Sequence, residues 1–355
     1  MTVRLIKLAM SDFGTSAATG INLTDAEVLL KTEAGPDNFT ISGITAISDI
    51  CHDYSGNLYI CDYTRNVIVK VAEGGEVRWV AGARNGASGN NSTLNNVPAA
   101  DARFNGPVGI CCDKYGTLYI ADSNNHQIRT YKNGFVNVLA GKNGAAGFVD
   151  GAGPTARFDT PTDVAVDKAG TVYVADTGNH AVRKIKNDGK VVTLAGNNVG
   201  GDGLAEAGTL TAITEVTTTW PSRRAMFNGL DSIAVDAQGN IYVADDQVNH
   251  RIKKITPDGQ VHLYSGSGAQ GTSLGTGANK AFTCSYYRIY GLDNDESGNI
   301  YVTDARGAGN SRIIKVDFNG TPSVIAELAT GSSYQASNKA LCTTPSQAIF
   351  VGLTY

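Results

Sequence analysis

Carboxylates dominate the groups in this chain that can do chemistry, and they come in pairs. Asp53 and Asp62 stand nine residues apart, as do Asp113 and Asp122, Asp167 and Asp176, Asp236 and Asp245, and Asp295 and Asp304. His126, His180 and His250 follow the second, third and fourth pairs at one shared place, and three imidazoles can ligate zinc. Four residues before the first Asp of each pair stand Asp49, Gly109, Asp163, Ser232 and Gly291, with Gln347 aligned as a sixth. Asp49 and Asp163 are the two carboxylates of that set. Together with water they can hold a cation.

The spacing of these groups is set by a repeat. GNLYICD (56–62), GTLYIAD (116–122), GTVYVAD (170–176), GNIYVAD (239–245) and GNIYVTD (298–304) are one motif written five times. An apolar run such as ICHD, ICCD, VAVD or IAVD precedes each copy across a short Asp-x-x-Gly turn. A polar turn, an alternating stretch such as AVRKIK, a Gly turn and a last run such as VVTLAG follow it. Each unit thus reads as four short antiparallel strands with tight turns. Units of this size and strand count mark a β-propeller.

The predicted fold is all-β, a six-bladed propeller of four-stranded blades in one domain spanning 1–355. Five blades are read at 42–82, 104–141, 158–196, 227–266 and 286–328. TPSQAIFV (344–351) aligns with TPTDVAV (160–166), so residues 345–355 are assigned as the inner strand of a closing blade. Its outer strands are assigned to residues 1–35, where TVRLIKLA and AEVLLKTEAG resemble third and fourth strands. Joining the two chain ends leaves no open sheet edge at the seam.

PTDVAVDKAGTVYVADTGNH (161–180) and the linker AGKNGAAGFVDGAGPTARF (140–158) resemble the NHL-repeat propeller family. The resemblance covers residues 42–320 directly. It implies the fold. For function it implies several things at once, because such propellers serve as RNA binders, protein-binding modules, sensors and lyases.

The repeat argues that most of these carboxylates close turns by accepting backbone N–H bonds. Equivalent histidines on successive blades ring the molecule rather than converge, so no metal site is assigned to them. Cys51, Cys111 and Cys61 take positions held by Ala in other units, and Cys112 takes a Val position. They read as small buried residues and free thiols, with Cys51–Cys61 an unneeded bridge.

The segments 83–103, 142–157, 197–226 and 267–285 all fall on one face, here called the top, whereas the opposite turns are minimal. Long loops on one face mark an interaction surface. The segment 197–226 is the favoured one, and Trp220, Arg223 and Arg224 are its candidate binding residues. Linker 142–157 also reads as padding between wedges.

Net charge is −4 and charged residues are 17% of the chain, against ~25% in ordinary domains. Such a chain has no general drive toward nucleic acid or anionic lipid. No apolar run is long enough to span a bilayer, and Lys7 interrupts the first apolar stretch, so no Sec-type export is expected. The sequence reads as a non-enzymatic protein-interaction or structural module without cofactor. A protein partner, a neighbouring subunit or a glycan would contact its loops, in the cytoplasm or as a phage virion structural or adhesion component. A metal-dependent lyase or lactonase-type enzyme and an RNA-binding module are the alternatives.

Overall fold

A computed structural model describes residues 3–9, 27–28, 44–72, 75–89, 96–200, 225–275, 285–286, 288–305, 310–329, 341–344 and 348–354. It is an all-β propeller. Among these residues six sheets occur, and the only helical turns are 3-10, at Ser123–Asn125 and Thr177–Asn179.

Five blades are each wound from one continuous stretch. The first runs Ile47–His52, Leu58–Asp62, Val67–Val71 and Val77–Gly82, from the channel outward. The inner strands of the next four are Pro107–Cys112, Pro161–Val166, Leu230–Val235 and Ile289–Asn294. Two blades exceed four strands: Val97–Pro98 and Gly151–Ala152, both from top-face linkers, add a fifth, outermost strand to the second and third.

The expectation of six four-stranded blades therefore does not hold: the continuous blades are five, of four or five strands each. The remaining sheet joins the chain ends, in the order Leu341–Thr343, Ala348–Thr354, Val3–Ala9, Glu27–Val28. Its inner strand is Leu341–Thr343, which lies between the inner strands of the fifth and first blades. Residues 345–355, assigned above as the inner strand, instead hold the second strand. Leu341 pairs with Val351, and Thr343 with Ile349, just as Ile110 pairs with Ile120 and Cys112 with Leu118. In that register Thr344 and Leu353 stand where other units carry their two Asp residues. The Thr-Pro match to 160–161 was therefore out of register. Gln347 lies outside the described residues.

Each blade buries both faces of its sheet against its neighbours, which is why runs such as Ile241–Asp245 are buried at every position. Apolar clusters fill the seams. Cys51, Cys61 and Ile68 of the first blade, for example, pack with Phe104, Ile110 and Ile120 of the second.

The paired carboxylates have two separate structural tasks. The first Asp closes the turn between strands one and two. Asp167 Oδ1 accepts the N–H groups of Ala169 and Thr171 at 2.9 Å each, and its Oδ2 accepts the Tyr173 hydroxyl at 3.2 Å. The same tyrosine bond recurs at Tyr59, Tyr119, Tyr242 and Tyr301. The motif's invariant Tyr is thus the partner of its first Asp.

The second Asp is the hub of its blade. Asp176 is fully buried and accepts from Asp159 N–H at 2.8 Å, Asn179 Nδ2 at 2.8 Å and Arg183 Nη1 at 2.6 Å. The guanidinium also donates to the Arg157 carbonyl and lies over the Phe158 ring, 5.3 Å from its centroid. Arg129, Lys253 and Arg312 repeat this with Asp122, Asp245 and Asp304. In the second, third and fourth blades a β-bulge falls beside the cation in the third strand. Burial pushes Asp122 and Asp176 up to about 6, outweighing the pull of the adjacent arginines. In the first blade Val69 replaces the cation and Ile44 the ring, so the two changes go together.

The hub predicts a large cost for removing its cation. Arg183→Met strands the Asp176 carboxylate and should lower stability by about 3–5 kcal/mol in urea denaturation. Tyr173→Phe, which deletes one hydrogen bond, should cost about 1 kcal/mol. Equal effects would mean the hub is not what holds the blade.

Candidate functional site

The channel is the obvious place for chemistry. Its cavity is ≈ 160 Å³ and is bounded by the inner strands of all six sheets. Asp49 and Asp163 do reach it, but on alternate blades, and each is used to grip the next blade. Asp49 Oδ2 accepts the Ile110 N–H at 2.7 Å. Asp163 Oδ2 accepts the Ile233 N–H at 2.9 Å and the Ser232 hydroxyl at 2.7 Å, while its Oδ1 accepts the Val164 N–H at 2.8 Å. Ser232 Oγ passes the grip on by accepting the Leu292 N–H at 3.1 Å. At the following seam Asp293 Oδ2 accepts the Thr343 N–H at 2.7 Å and the Thr343 hydroxyl at 3.1 Å. Burial pushes Asp293 up to about 6 against those bonds.

Of the two glycines in the set, Gly291 donates its N–H to Thr303 Oγ1 at 2.8 Å, and Gly109 acts by absence of a side chain. A Cβ there would sit 2.5 Å from Asp163 Cα, so only glycine lets the second and third blades close up. The carboxylates read from sequence as cation ligands are thus interblade clasps. Among the described residues no cluster of three or more His, Cys, Asp or Glu side chains is arranged to hold a metal.

Two residues before the turn, the inner strands carry Cys51, Cys111, Ala165, Ala234, Asp293 and Cys342. Cys51 and Cys342 are buried, and burial raises both thiols well above their ordinary value. Cys112, on the adjacent position, is pushed up to about 12, again chiefly by burial. All five described cysteines are free. Cys51 pairs across the strands with Tyr59 and Cys61 with Asp49, so a Cys51–Cys61 bridge has no place in this sheet. His52 Nδ1 lies 3.2 Å from Cys342 Sγ, and burial lowers its pKa. A thiol held protonated beside a neutral imidazole is a poor nucleophile.

The three histidines act separately. His126, His180 and His250 have φ of 56°, 49° and 45°, the left-handed region. Their carbonyl oxygens point at Gly141, Gly196 and Gly266, where any Cβ would collide, which explains the glycine ending each fourth strand. His126 Nδ1 accepts the Thr160 N–H at 3.0 Å, and His250 Nδ1 lies 3.3 Å from Asp246 Oδ1.

Of the top-face loops, 142–157 is locked in place. Asp150 takes Arg183 Nη2 at 2.6 Å and the Thr193 hydroxyl at 2.8 Å, and Asn179 Nδ2 donates to the Gly147 carbonyl at 2.8 Å. It is interblade packing. Trp220, Arg223 and Arg224 lie outside the described residues.

The opposite face is less bare than its short turns suggest. Tyr54 and Tyr115, both in Asp-x-x-Gly turns, are 67% and 69% exposed, and Phe318 is 69% exposed. A second cavity of ≈ 210 Å³ opens there, lined by His52, Tyr54, Lys168, Asp236 and Glu296 among others. The letters were legible: a tyrosine in a four-residue turn has no core to pack into, and only lysine side chains lie over the Tyr115 ring. Only the turn's brevity hid it.

A family model described as the Teneurin NHL domain matches residues 143–351, and the NHL repeat model matches 104–131. The first covers more than half of the chain. The chain belongs to the Teneurin NHL domain family. Human NHL repeat-containing protein 2 is 32% identical over 183 residues, covering 47% of this chain and 23% of that protein. The chain spans between a tenth and a quarter of the first curated relatives it matches. A solved nidogen–laminin complex aligns with 14% identity and a TM-score of 0.55, over 92% of this chain and 93% of that one. A virginiamycin B lyase from Staphylococcus aureus aligns with 12% identity and a TM-score of 0.51, over 99% and 100%. At these identities the two structures speak for the NHL domain's fold alone.

The clasps predict sharp sensitivity at the channel. Gly109→Ala should cost about 1–3 kcal/mol by overpacking. Asp163→Ala should cost about 1–3 kcal/mol by leaving the Ile233 N–H without its acceptor. Urea titration of both variants checks this, and values within about 0.5 kcal/mol of the parent, as at an ordinary surface site, would contradict it.

Proposed function

We propose that this NHL propeller is a non-enzymatic interaction module, rigid within and presenting loops and aromatic side chains to a protein partner. One observation carries the reading. The carboxylates that the repeat sets out are committed to turns, hubs and interblade clasps, while among the described residues the most exposed large hydrophobic side chains are Tyr54, Tyr115 and Phe318. Aromatic side chains at loop tips are the groups that protein interfaces favour. Membership of a family named for a domain of larger proteins supports the same reading. The narrower expectation of a virion or adhesion component rests on composition, and the relatives add nothing to it. The lyase among the solved structures shares the fold. The channel's protonated thiols and its gripped Asp49 and Asp163 supply neither a base nor an open ligand set for that chemistry.

The module further rests on a closed ring, in which we take the sheet of the chain ends as a sixth blade. Support comes from its inner strand, Leu341–Thr343, seated between Ile289–Asn294 and Ile47–His52, and clasped by Asp293.

Two measurements test the proposal. Incubation with ester, lactone and cyclic peptide substrates, with and without magnesium or calcium, should give no turnover above buffer. Metal-dependent turnover lost in Asp163→Asn would replace this reading with an enzyme. Lysine cross-linking in a native extract should join Lys114, Lys142 or Lys168 to a second polypeptide. The same sample should show Lys7 linked to Lys70 or Lys315, the third strands flanking the terminal sheet, and the lack of such links would argue against ring closure.

A further inference from the structure

Around the channel the seams are bridged through Asp49, Gly109, Asp163, Ser232 and Asp293. The remaining seam lies between Leu341–Thr343 of the terminal sheet and Ile47–His52 of the first blade. Register shows what bridges it. Asp293 pairs with Tyr301, Cys342 with Phe350 and Cys51 with Tyr59, so these three hold one position in their strands. Thr343 and His52, paired with Ile349 and Leu58, hold the next position. Asp293 reaches forward to Thr343 of the terminal sheet, taking its N–H at 2.7 Å and its hydroxyl at 3.1 Å. Cys342 reaches forward to His52 of the first blade with the same offset. Its Sγ lies 3.2 Å from His52 Nδ1 and takes a bond from the His52 backbone N–H. The thiol thus stands where the carboxylate stood, and the imidazole where the hydroxyl stood.

The exchange reverses the direction of one bond. An ionised carboxylate can only accept, so Thr343 must donate to it. A thiol brings its own proton. Cys342 is 2% exposed, a place where a thiolate would be costly, so the sulfur keeps its hydrogen and has it to give. The Thr343 carbonyl lies 3.8 Å from the sulfur, which leaves His52 Nδ1 as the nearer acceptor.

We infer that Cys342 donates its S–H to Nδ1 of a neutral His52, that this bond clasps the terminal sheet to the first blade, and that acid opens the clasp. The clasp rests on the terminal sheet closing the ring. It fixes the imidazole as the tautomer with its hydrogen on Nε2. A protonated imidazole carries N–H on both nitrogens and has no lone pair left for the thiol. His52 lines both the channel and the cavity on the opposite face, so a proton from solvent has a way to it.

The titratable groups nearest His52 are Asp49, Cys51, Asp53 and Tyr54 of its own blade, Cys112 of the second, Asp293 of the fifth and Cys342. Lys168, Asp236, Asp295 and Glu296 line the rest of the lower cavity. Asp53 favours the charged imidazole, but its carboxylate is held by the N–H groups of Ser55 and Asn57 and by the Tyr59 hydroxyl. Burial outweighs it and keeps His52 below its ordinary 6.5. The folded pKa is thus lower than that of the opened state, and the opened state binds the extra proton. The clasp is complete above 6.5 and is lost as pH falls below it, the opening constant rising by up to about tenfold per pH unit.

The test uses the full chain. Heteronuclear NMR of the imidazole nitrogens, with His52 assigned by the signal lost in His52→Leu, should show its Nε2–H tautomer at neutral pH. In Cys342→Ala, which lacks the donor, His52 should titrate about 0.5–1 pH higher than in the parent. In Cys342→Ser, whose hydroxyl keeps a donor, it should titrate as in the parent. Reaction of Cys342 with a pyridyl disulfide, read by peptide mass and scaled to the urea-unfolded chain, should quicken in the parent as pH falls below 6.5. In His52→Leu it should already be fast at neutral pH and show no such rise. An Nδ1–H tautomer, a titration indifferent to Cys342→Ala, or a parent reactivity without pH dependence overturns the clasp. Cross-linking of Lys7 to Lys70 separates the two readings. If the link forms while one of those results holds, the ring stands and the clasp falls. If it does not form, ring closure fails and takes the clasp with it.

Discussion

Everything in this propeller hangs on a buried carboxylate that organises the entrance to each blade. Asp122, Asp176, Asp245 and Asp304 each collect a backbone N–H from the segment entering the blade and a buried cation from the third strand. The cation then binds a carbonyl of the same entering segment, and in the second, third and fourth blades it covers an aromatic ring. Paired, hydrogen-bonded and stacked, the two charges are held where one alone would be prohibitively costly. The arrangement fixes where each linker must come down onto its blade. It thereby decides which loop residues remain free on the top face.

A second layer of the same logic operates at the channel. The inner strands cannot pair as a ladder, because they run parallel to the channel on separate sheets. They are joined through side chains instead: a carboxylate or hydroxyl on one blade accepts the N–H of the next. Where a glycine replaces the acceptor, the backbones close directly. These contacts bind neighbouring wedges to one another and engage Asp49, Asp163, Ser232 and Asp293 in doing so.

Much of the fold was legible because strand, turn and strand are each written in side chains that have few alternatives. Asp-x-x-Gly turns and buried Val-Ile-Tyr runs permit little else. The clasps were not legible, because the partner of Asp49 or Asp163 is a backbone N–H on another blade, and backbone groups have no letter in the sequence. Asp49 and Asp163 therefore looked like a cation site. The terminal inner strand was misplaced for a different reason. That unit has lost both of its Asp residues, leaving Thr344 and Leu353, so a two-letter Thr-Pro match outweighed a true but unsigned register. The pairing of Tyr173 with Asp167 was readable throughout, since the tyrosine stands six residues after the Asp in all five units.

The account stands or falls on the hub being the last thing to open. Native-state hydrogen exchange reads it directly at the amides of Asn105, Asp159 and Asn228, which lie in entering segments rather than in strands. If the buried carboxylates hold those segments, these amides exchange only with global unfolding, as slowly as the central strands of their blades. Exchange at the rate of the neighbouring loop amides, with the strands still protected, would show that the linkers come and go independently and that the hub is not the organising contact.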